Sequence, residues 1–295
     1  MLLSIIIVNW NVKNLLKRCL SSIYKSTNLG EGKEDSSFEV FVVDNGSKDE
    51  SVEMVQKEFP QVKLIINKEN LGFAKANNQA IKQAQSEFIL LLNPDTEILH
   101  KNSFLKMVDF MKTHPDCGIA GCKLLNTDRT LQLSIRKFPT LISQIITLTK
   151  APNLFPWLIK KYLGFNNDYQ RTQEVDQVMG SFFMIRKKVI EQIGLLDENF
   201  WAWFEEVDFC KRAKNIGWKI YYTPEVEIIH HKGQSFNQLV KKQKVFNKSL
   251  LYYFKKHHSF LAWFILYFMQ PLSLFLTFLD EKMGIKRRIG KKKYL

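Results

Sequence analysis

Four short apolar runs, separated by segments of helical periodicity, restrict the possible folds of this chain more than any other feature of its sequence. The runs occupy residues 4–8, 39–43, 62–66 and 88–92. Each has the length of a fully buried parallel strand. The residues between the first two runs show the helical period, with apolar side chains at Leu15, Leu16, Cys19, Leu20 and Ile23. Strands that alternate with helices predict an α/β fold with a doubly wound, mostly parallel sheet.

The alternation fades after residue 125. Residues 138–175 contain scattered prolines and aromatic residues without a clean period, and the sequence assigns no element there. The polar, glycine-containing segment 28–37 is predicted to be a surface loop. A strand, a helix and two more strand-like runs are predicted at 178–187, about 205–215, 218–222 and up to His230.

The cysteines and the N-terminus indicate a reducing compartment. Cys19, Cys117, Cys122 and Cys210 form no Cys-x-x-Cys pair, which argues against a zinc ribbon or a redox motif. Their apolar neighbours are typical of small buried residues. The start, MLLSIIIVNWN, has no basic leader and no small-residue cleavage site, so we expect a first buried strand and a protein that stays in the cytoplasm.

Polar residues follow each of the first four predicted strands directly. They are Asn9, Trp10 and Asn11, then Asp44 to Ser47, then Asn67, Asn70 and Gly72, then Asn93, Pro94 and Asp95. The carboxyl ends of parallel strands meet at one edge of the sheet, so these residues predict a polar ligand pocket. No Gly-x-Gly-x-x-Gly or P-loop motif stands there, which argues against a dinucleotide oxidoreductase or a P-loop NTPase. An aspartate near a phosphate usually acts through a divalent cation, because like charges repel.

Seven motifs in one order resemble family 2 glycosyltransferases of the GT-A fold, and in particular their rhamnosyltransferase-like branch. They are SIIIVNWN, VVDNGSKD, NLGFAKANN, LLNPDTE, GSFFMIRK, DENFWAWFEEVDFCKRAKNIGW and IIHHKGQS. The resemblance implies a Rossmann-like nucleotide-sugar-binding half over 1–125, an acceptor-binding and catalytic half over 126–240, and a helical tail over 241–295. It also implies a UDP- or dTDP-linked sugar donor, Mg²⁺ or Mn²⁺, and a glycan or polyprenyl-linked acceptor in the synthesis of cell-surface polysaccharide.

The resemblance assigns roles to the predicted pocket. Asp44 matches the aspartate that accepts a hydrogen bond from the pyrimidine N3–H, as an ionised carboxylate can. Asp95 matches the last acid of the metal-binding Asp-x-Asp, although the first acid is Asn93 here. His230 matches a family histidine that can complete the metal shell, with His231 as the competing ligand. The other residues implied for donor binding are Asn9, Asn45, Gly72, Lys75, Asn77 and Gly180.

The acidic cluster Glu205, Glu206 and Asp208 is the predicted catalytic feature. The family carries an acidic pair here whose second member is the base, which is Glu206 in this chain, a glutamate where aspartate is common. On a helix, Glu205 and Asp208 share a face and Glu206 points in another direction. Glu205 and Asp208 are therefore expected to form a supporting pair, and Asp208 is also the second candidate for the base. The implied mechanism is an inverting single displacement, in which the base deprotonates the acceptor hydroxyl.

The C-terminal tail carries most of the net charge. The whole chain has a net charge of +14, and residues 241–295 hold thirteen basic and two acidic residues. Residues 260–279 are nearly all apolar and could span about 30 Å of hydrocarbon, but Pro271 lies mid-segment and both flanks are basic. We expect a broken or in-plane helix pair that attaches the protein, as a peripheral or monotopic protein, to the anionic cytoplasmic face of the membrane. A chain ending near Asn237 is expected to keep a folded body.

Three other functions compete with this interpretation. A catalytically inactive module of the same fold would bind nucleotide sugars without Glu206 or a metal. The net charge of +14 is typical of a nucleic-acid-binding protein. Most of this charge lies on an apolar tail and not on the body, so no nucleic-acid partner is expected. A processive polysaccharide synthase usually has several long apolar spans and a Gln-x-x-Arg-Trp motif, and this sequence has neither.

Overall fold

The structure, a computed structural model, describes residues 2–27, 38–150, 156–165, 167–231 and 239–283. The predicted surface loop 28–37 and the basic residues beyond 283 lie outside the described residues. The strands are β1 Leu3–Asn9, β2 Phe38–Asp44, β3 Lys63–Ile66, β4 Phe88–Leu92, β5 Thr96–Ile98, β6 Cys117–Leu125, β7 Leu131–Gln132, β8 Ile135–Arg136, β9 Gln173–Glu174, β10 Gln177–Val178, β11 Phe182–Arg186 and β12 Lys219–His230.

The helices occupy both the alternating half and the part of the chain whose sequence pattern is irregular. They are α1 Lys13–Thr27, α2 Ser51–Glu58, α3 Phe73–Ile81, α4 Ser103–Thr113, α5 Leu141–Leu148, α6 Pro156–Tyr162, α7 Lys187–Ile193, α8 Glu205–Asn215, α9 Leu239–His257 and α10 Phe260–Lys282. The helix predicted over 205–215 is confirmed. The unassigned segment 138–175 holds α5, α6 and the short strand β9.

The main sheet has the order β3-β2-β1-β4-β11-β6-β12-β5. Strands β1 to β4 run parallel, as predicted, and β12 runs parallel to β6, whereas β11 is antiparallel to both of its neighbours and β5 is antiparallel to β12. The predicted α/β fold with a mostly parallel sheet is therefore confirmed. One sheet runs through both predicted halves, because β6, which ends at Leu125, lies between two strands of the second half.

Helices cover both faces of the sheet because side chains alternate along each buried strand. In β1, Ile5 and Ile7 pack into the core that includes α1, α2 and α4, whereas Ile6 and Val8 pack into the core that includes α3, α7 and α8. The four cysteines are free and buried, as predicted. The run at 62–66 was expected to be fully buried, but β3 lies at the edge of the sheet, and Ile66 is 55% exposed because no strand among the described residues covers that side.

Two predicted strands have different bounds. The run at 178–187 is divided into β10 and β11 by Met179 to Ser181, where the chain turns beside Gly180. The runs at 218–222 and up to His230 are one strand, β12, whose register with β6 shifts between Thr223 and Glu227. Such an irregularity bends a strand without ending it, which explains why the sequence pattern is interrupted.

The tail forms a helical hairpin that packs on the body. Helices α9 and α10 contact each other, and α10 also contacts α5. The sequence predicted a broken or an in-plane helix pair, and the helix is not broken at Pro271: α10 continues through this residue, and the chain bends at His258 and Ser259. A proline removes one helix hydrogen bond, but buried residues on either side, Leu266 and Ser273, hold the helix against its neighbours.

Candidate active site

The carboxyl ends of β1 and β2 place Asn9 beside Asp44. The two residues are register partners, and Asn9 Nδ2 donates to Asp44 Oδ2 at 2.8 Å. The other carboxylate oxygen, Oδ1, accepts from the Ser47 amide at 2.8 Å. Asn9 Oδ1 is buried and has no donor among the described residues. The Asp44 carboxylate and the Asn9 carbonyl are therefore two buried acceptors at the ends of β1 and β2, with 1% and 0% of their residues exposed, and both retain lone pairs for an N–H donor.

Other residues of the predicted donor set hold the pocket together. The Asn45 amide group bonds the loop that precedes α3, with Nδ2 at 3.2 Å from the carbonyl of Gly72. Asn77 is buried on α3 and donates to the carbonyl of Phe73 at 2.9 Å. Lys75 is exposed on the same helix. The structure therefore gives Asn45 and Asn77 bonds within the fold and leaves Lys75 open to solvent.

Gly72 allows the donor loop to approach the segment before α8. Its φ is +86°, and an added Cβ would lie 2.5 Å from the carbonyl oxygen of Trp201. The next residue, Phe73, donates its amide to that same oxygen at 2.7 Å. Only glycine fits this left-handed, crowded position. Gly72 thus joins the predicted donor pocket to the chain that leads into Glu205.

Asp95 and His230 lie together at the end of β12. His230 Nε2 is 3.3 Å from Asp95 Oδ1, whereas His231 turns to the other side and lies 2.8 Å from Glu97 Oε1. Gln132 fixes the ring of His230: its Nε2 donates to the His230 carbonyl, and its Oε1 lies 2.7 Å from His230 Nδ1. Nδ1–H is then the donor to Gln132. In the neutral ring the lone pair of Nε2 points at the Asp95 carboxylate.

This arrangement fits a divalent cation. Two electron-pair donors that face each other at 3.3 Å repel unless a proton or a cation lies between them. The part of the chain that the structure describes contains no group of three or more His, Cys, Asp or Glu residues that could hold a metal. One carboxylate and one imidazole match a site in which substrate phosphates and water supply the remaining ligands, as is usual for Mg²⁺.

Strained backbone directs the start of α8. Trp203 and Phe204 have φ values of +64° and +70°, a conformation that non-glycine residues rarely adopt outside functional sites. Glu205 is buried behind this turn, whereas Glu206 is partly exposed. A Cβ on Gly180 would lie 3.6 Å from Glu206 Cγ, so the turn between β10 and β11 borders the carboxylate.

Glu205 and Glu206 form a coupled pair. Burial, and then the charge of Glu206, raise the pKa of Glu205 well above its usual value. Burial also raises the pKa of Glu206, whereas the charge of Arg136 opposes this increase. Each glutamate has a buried Oε2 with no partner among the described residues. A hydrogen bond from protonated Glu205 lowers the pKa of Glu206, so the pair favours a proton on Glu205 beside an ionised Glu206.

Asp208 lies in a different environment from Glu206. It is fully buried and accepts from Arg212 at 2.8 Å, and also from Lys256 and His257 of α9 at 2.8 and 2.7 Å. Burial raises its pKa, but His257, Lys256 and Arg212 together hold the pKa below its usual value. Glu205 and Asp208 do not interact with each other, although they share a helix face. Asp208 bonds to Arg212, Lys256 and His257, whereas Glu205 interacts with Glu206.

The sequence missed four residues that contribute to this site. Gln132 orients His230, Lys256 and His257 reach Asp208 from the tail, and Arg136 lies near Glu206. The tail residues follow Asp208 by almost fifty positions, and no local pattern connects them. Arg136 stands in SIRKFP, just before the segment that the sequence left unassigned. A basic residue in a short buried strand was the available signal.

The two edges of the site meet at one hydrogen bond. The Asn93 amide donates to the carbonyl of Ser181 at 3.1 Å. Asn93 stands two residues before Asp95, and Ser181 follows Gly180, which borders Glu206. The structure thus places the Asp95–His230 pair and the Glu205–Glu206 pair at adjacent turns at the carboxyl edge of the sheet.

Comparisons with known proteins identify the family and the fold. The family model of Glycosyl transferase family 2 matches residues 4–194. The chain is 25% identical over 248 residues to the N-acetylglucosaminyl-diphospho-decaprenol L-rhamnosyltransferase of Mycobacterium tuberculosis, covering 79% of this chain and 77% of that protein. It is also 25% identical over 202 residues to rhamnosyltransferase WbbL of Escherichia coli K12, covering 65% and 70% of the two chains.

Among solved structures, the fold is similar to the mannosyltransferase PcManGT of Pyrobaculum calidifontis in complex with GDP-Man and Mn²⁺. The TM-score is 0.56, and the match covers 97% of this chain and 76% of that one. The sequence identity is 14%, so this likeness establishes the fold and not the substrate.

Proposed function

The chain belongs to glycosyl transferase family 2, and on this premise we propose that it is an inverting, metal-dependent hexosyltransferase. It moves rhamnose from a dTDP or UDP donor onto a glycan carried by a polyprenyl lipid, in the synthesis of cell-surface polysaccharide. The two rhamnosyltransferase relatives support the sugar, and the decaprenol-linked substrate named for one of them supports the acceptor. The observation that carries the proposal is the Asn93–Ser181 hydrogen bond, which joins Asp95 and His230 to the turn beside Glu206.

The donor lies between the two aspartates in this proposal. Asp44 and Asn9 accept from the base, because both present acceptors at the ends of β1 and β2. Asp95 and His230 hold the divalent ion, Mg²⁺ or Mn²⁺, which offsets the negative charge on the diphosphate when bound. Gln132 keeps the His230 ring in the tautomer that directs Nε2 towards Asp95.

Glu206 is the catalytic base. Its carboxylate takes the proton of the acceptor hydroxyl while the oxygen attacks the anomeric carbon, and the nucleoside diphosphate leaves from the opposite side. This single displacement inverts the anomeric centre and needs no covalent intermediate. Glu205, as the protonated neighbour, keeps Glu206 ionised. Asp208 does not take part in proton transfer, since the side chains of Arg212, Lys256 and His257 occupy its oxygens.

The tail attaches the enzyme to the cytoplasmic face of the membrane. Helix α10 is the single helix among the described residues that is long and apolar enough to span a bilayer, which by itself is weak support. One side of α10 packs on the body, with Leu266 fully buried, and the other side exposes large apolar side chains, including Phe260, Phe264, Phe268 and Phe275. A helix covered by protein on one side fits an in-plane orientation better than a span. The net positive charge of the tail favours an anionic surface.

A donor screen tests the proposal. The full chain is incubated with Mn²⁺, a polyprenyl-linked glycan acceptor and each of the common UDP-, dTDP- and GDP-sugars, and the release of nucleoside diphosphate is measured. Release from dTDP-rhamnose or UDP-rhamnose, with product of inverted anomeric configuration, is expected. Nucleotide binding without transfer from any donor would instead indicate a catalytically inactive module.

A further inference from the structure

Arg136 is a charged residue that the proposed mechanism does not use. It ends β8, which pairs antiparallel with β10 so that Arg136 lies opposite Gln177. Its Nε atom is buried and has no hydrogen-bond partner among the described residues. Among the residues that the structure describes, no carboxylate forms an ion pair with the Arg136 guanidinium. The next residue, Lys137, does form one, with Asp176 at 3.6 Å.

Arg136 lies beside the candidate active site. Its charge acts on Glu206 and on the partly exposed Tyr162 of α6. The strand opposite Arg136 leads directly to Gly180, which borders Glu206. Glu206 is nevertheless not bonded to Arg136, and a base clamped in such a pair could not accept a proton from a hydroxyl.

A partly buried cation without an anion is unfavourable unless a ligand supplies one. Taking an unpaired charge out of water costs several kcal/mol, and buried donors in folded proteins nearly always have partners. The planar fork of arginine matches the oxygens of a phosphate, which it binds through two parallel hydrogen bonds. The nucleotide donor of the proposed reaction contains a diphosphate, and so does the decaprenol-linked substrate named for one relative, whereas the sugars themselves are neutral.

We propose that Arg136 binds a phosphate oxygen of a substrate diphosphate beside Glu206. The inference rests on the proposed function, because that function supplies the diphosphate. The diphosphate belongs either to the nucleotide donor or to the lipid-linked acceptor, and both offer the same oxygens to the guanidinium. In either case Arg136 positions the reacting groups next to the base.

The test compares three variants of the full chain with the wild type. Arg136→Gln removes the charge, Arg136→Lys keeps the charge but not the fork, and Lys137→Gln is the control for loss of a neighbouring positive charge. Calorimetric titration with UDP and dTDP in Mn²⁺ reports the donor side, and titration with farnesyl diphosphate in detergent, against farnesol, reports the acceptor side. Thermal unfolding shows that each variant is folded.

Arg136→Gln is expected to weaken one of these diphosphate probes by at least about tenfold, with Arg136→Lys intermediate and Lys137→Gln unchanged. Weaker nucleotide binding identifies the donor, and weaker farnesyl diphosphate binding identifies the acceptor. The inference is overturned if both probes bind folded Arg136→Gln as tightly as they bind the wild type. If Arg136→Gln does not fold, the same comparison is made with folded Arg136→Lys. Wild-type nucleotide binding remains in that case, so the proposed function is tested separately.

Discussion

His257 Nε2 lies 2.7 Å from Asp208 Oδ1, so the C-terminal hairpin is bonded to the helix that carries the candidate base Glu206. Lys256 reaches the same oxygen and also pairs with Asp197 at 2.7 Å. The aromatic side chains of α9 pack on Phe200 and Phe204, which immediately precede α8. The hairpin is therefore part of the catalytic body. The expectation that a chain ending near Asn237 keeps a folded body is not supported, since such a chain loses two partners of a buried carboxylate.

Lys256→Met should destabilise the protein by on the order of 1–3 kcal/mol, because Asp208 loses a charged hydrogen-bond donor. The matched control is Lys255→Met, an exposed neighbour on α9, which should change the unfolding free energy by less than about 0.5 kcal/mol. Urea unfolding measures both. In transfer assays below the unfolding range, Lys256→Met should lower kcat with little change in the donor KM. Equal stability of the two variants would argue against a supporting role for Lys256.

Glu206→Gln should keep nucleotide affinity and lose transfer by at least about a hundredfold, because the amide cannot accept the hydroxyl proton. Single-turnover transfer and nucleotide titration measure the two effects separately. Burial raises the pKa of Glu206 above the usual 4.5, so the wild-type rate should fall with decreasing pH at a midpoint above that value. Near-normal transfer by Glu206→Gln would remove Glu206 from the role of base.

Glu205→Gln should be more stable than the wild type at high pH. Folding raises the pKa of Glu205, so the folded protein binds this proton more tightly than the unfolded chain does. The resulting stabilisation is complete below the unfolded value near 4.5 and is lost as the pH rises through the folded-state value. Glutamine has no proton to lose. Urea unfolding at several pH values should show a difference that grows in favour of the variant as the pH rises, and a constant difference would contradict the raised pKa.

Asp44→Ala and Asp95→Ala should weaken donor binding in different ways. Asp44→Ala removes a buried acceptor beside Asn9 and should lower nucleotide affinity both with and without EDTA. Asp95→Ala, like His230→Asn, should lower the affinity measured with Mn²⁺ to the value measured in EDTA. Calorimetric titration with UDP or dTDP distinguishes the patterns. Unchanged affinity in Asp44→Ala would exclude this residue from base recognition.

Replacing Phe264, Phe268 and Phe275 together by serine should reduce co-sedimentation with vesicles that contain phosphatidylglycerol. These side chains are exposed on one side of α10, and burying each in a bilayer contributes about 1.5–3 kcal/mol. Thermal stability should change little, because the opposite side of α10 forms the packing contacts. The control is Ile216→Ser, an exposed apolar residue at the end of α8. Unchanged sedimentation of the triple variant would exclude this surface as the membrane contact.

The sequence determined the alternating elements and the residues that end them. Asp44 and Asp95 were predictable because the carboxyl ends of parallel strands meet at one edge, and α8 was predictable because its pattern is local. The separation of Glu206 from Asp208 also follows from helical spacing alone. Periodicity and strand direction are properties of short segments, which explains why these features can be read without a structure.

Only the tertiary structure decided which polar residues face the site. His230 and His231 point to opposite sides of the chain, and the pairing of β12 with β5 determines which of them meets Asp95. Asn45 bonds the loop before α3 because that loop packs over it, and Pro271 stays within a helix because α10 packs on its neighbours. The partners of Asp208 and the position of Arg136 depend on contacts between distant segments. Their energies arise from burial and from pairing of charges, which exist only once the chain is packed.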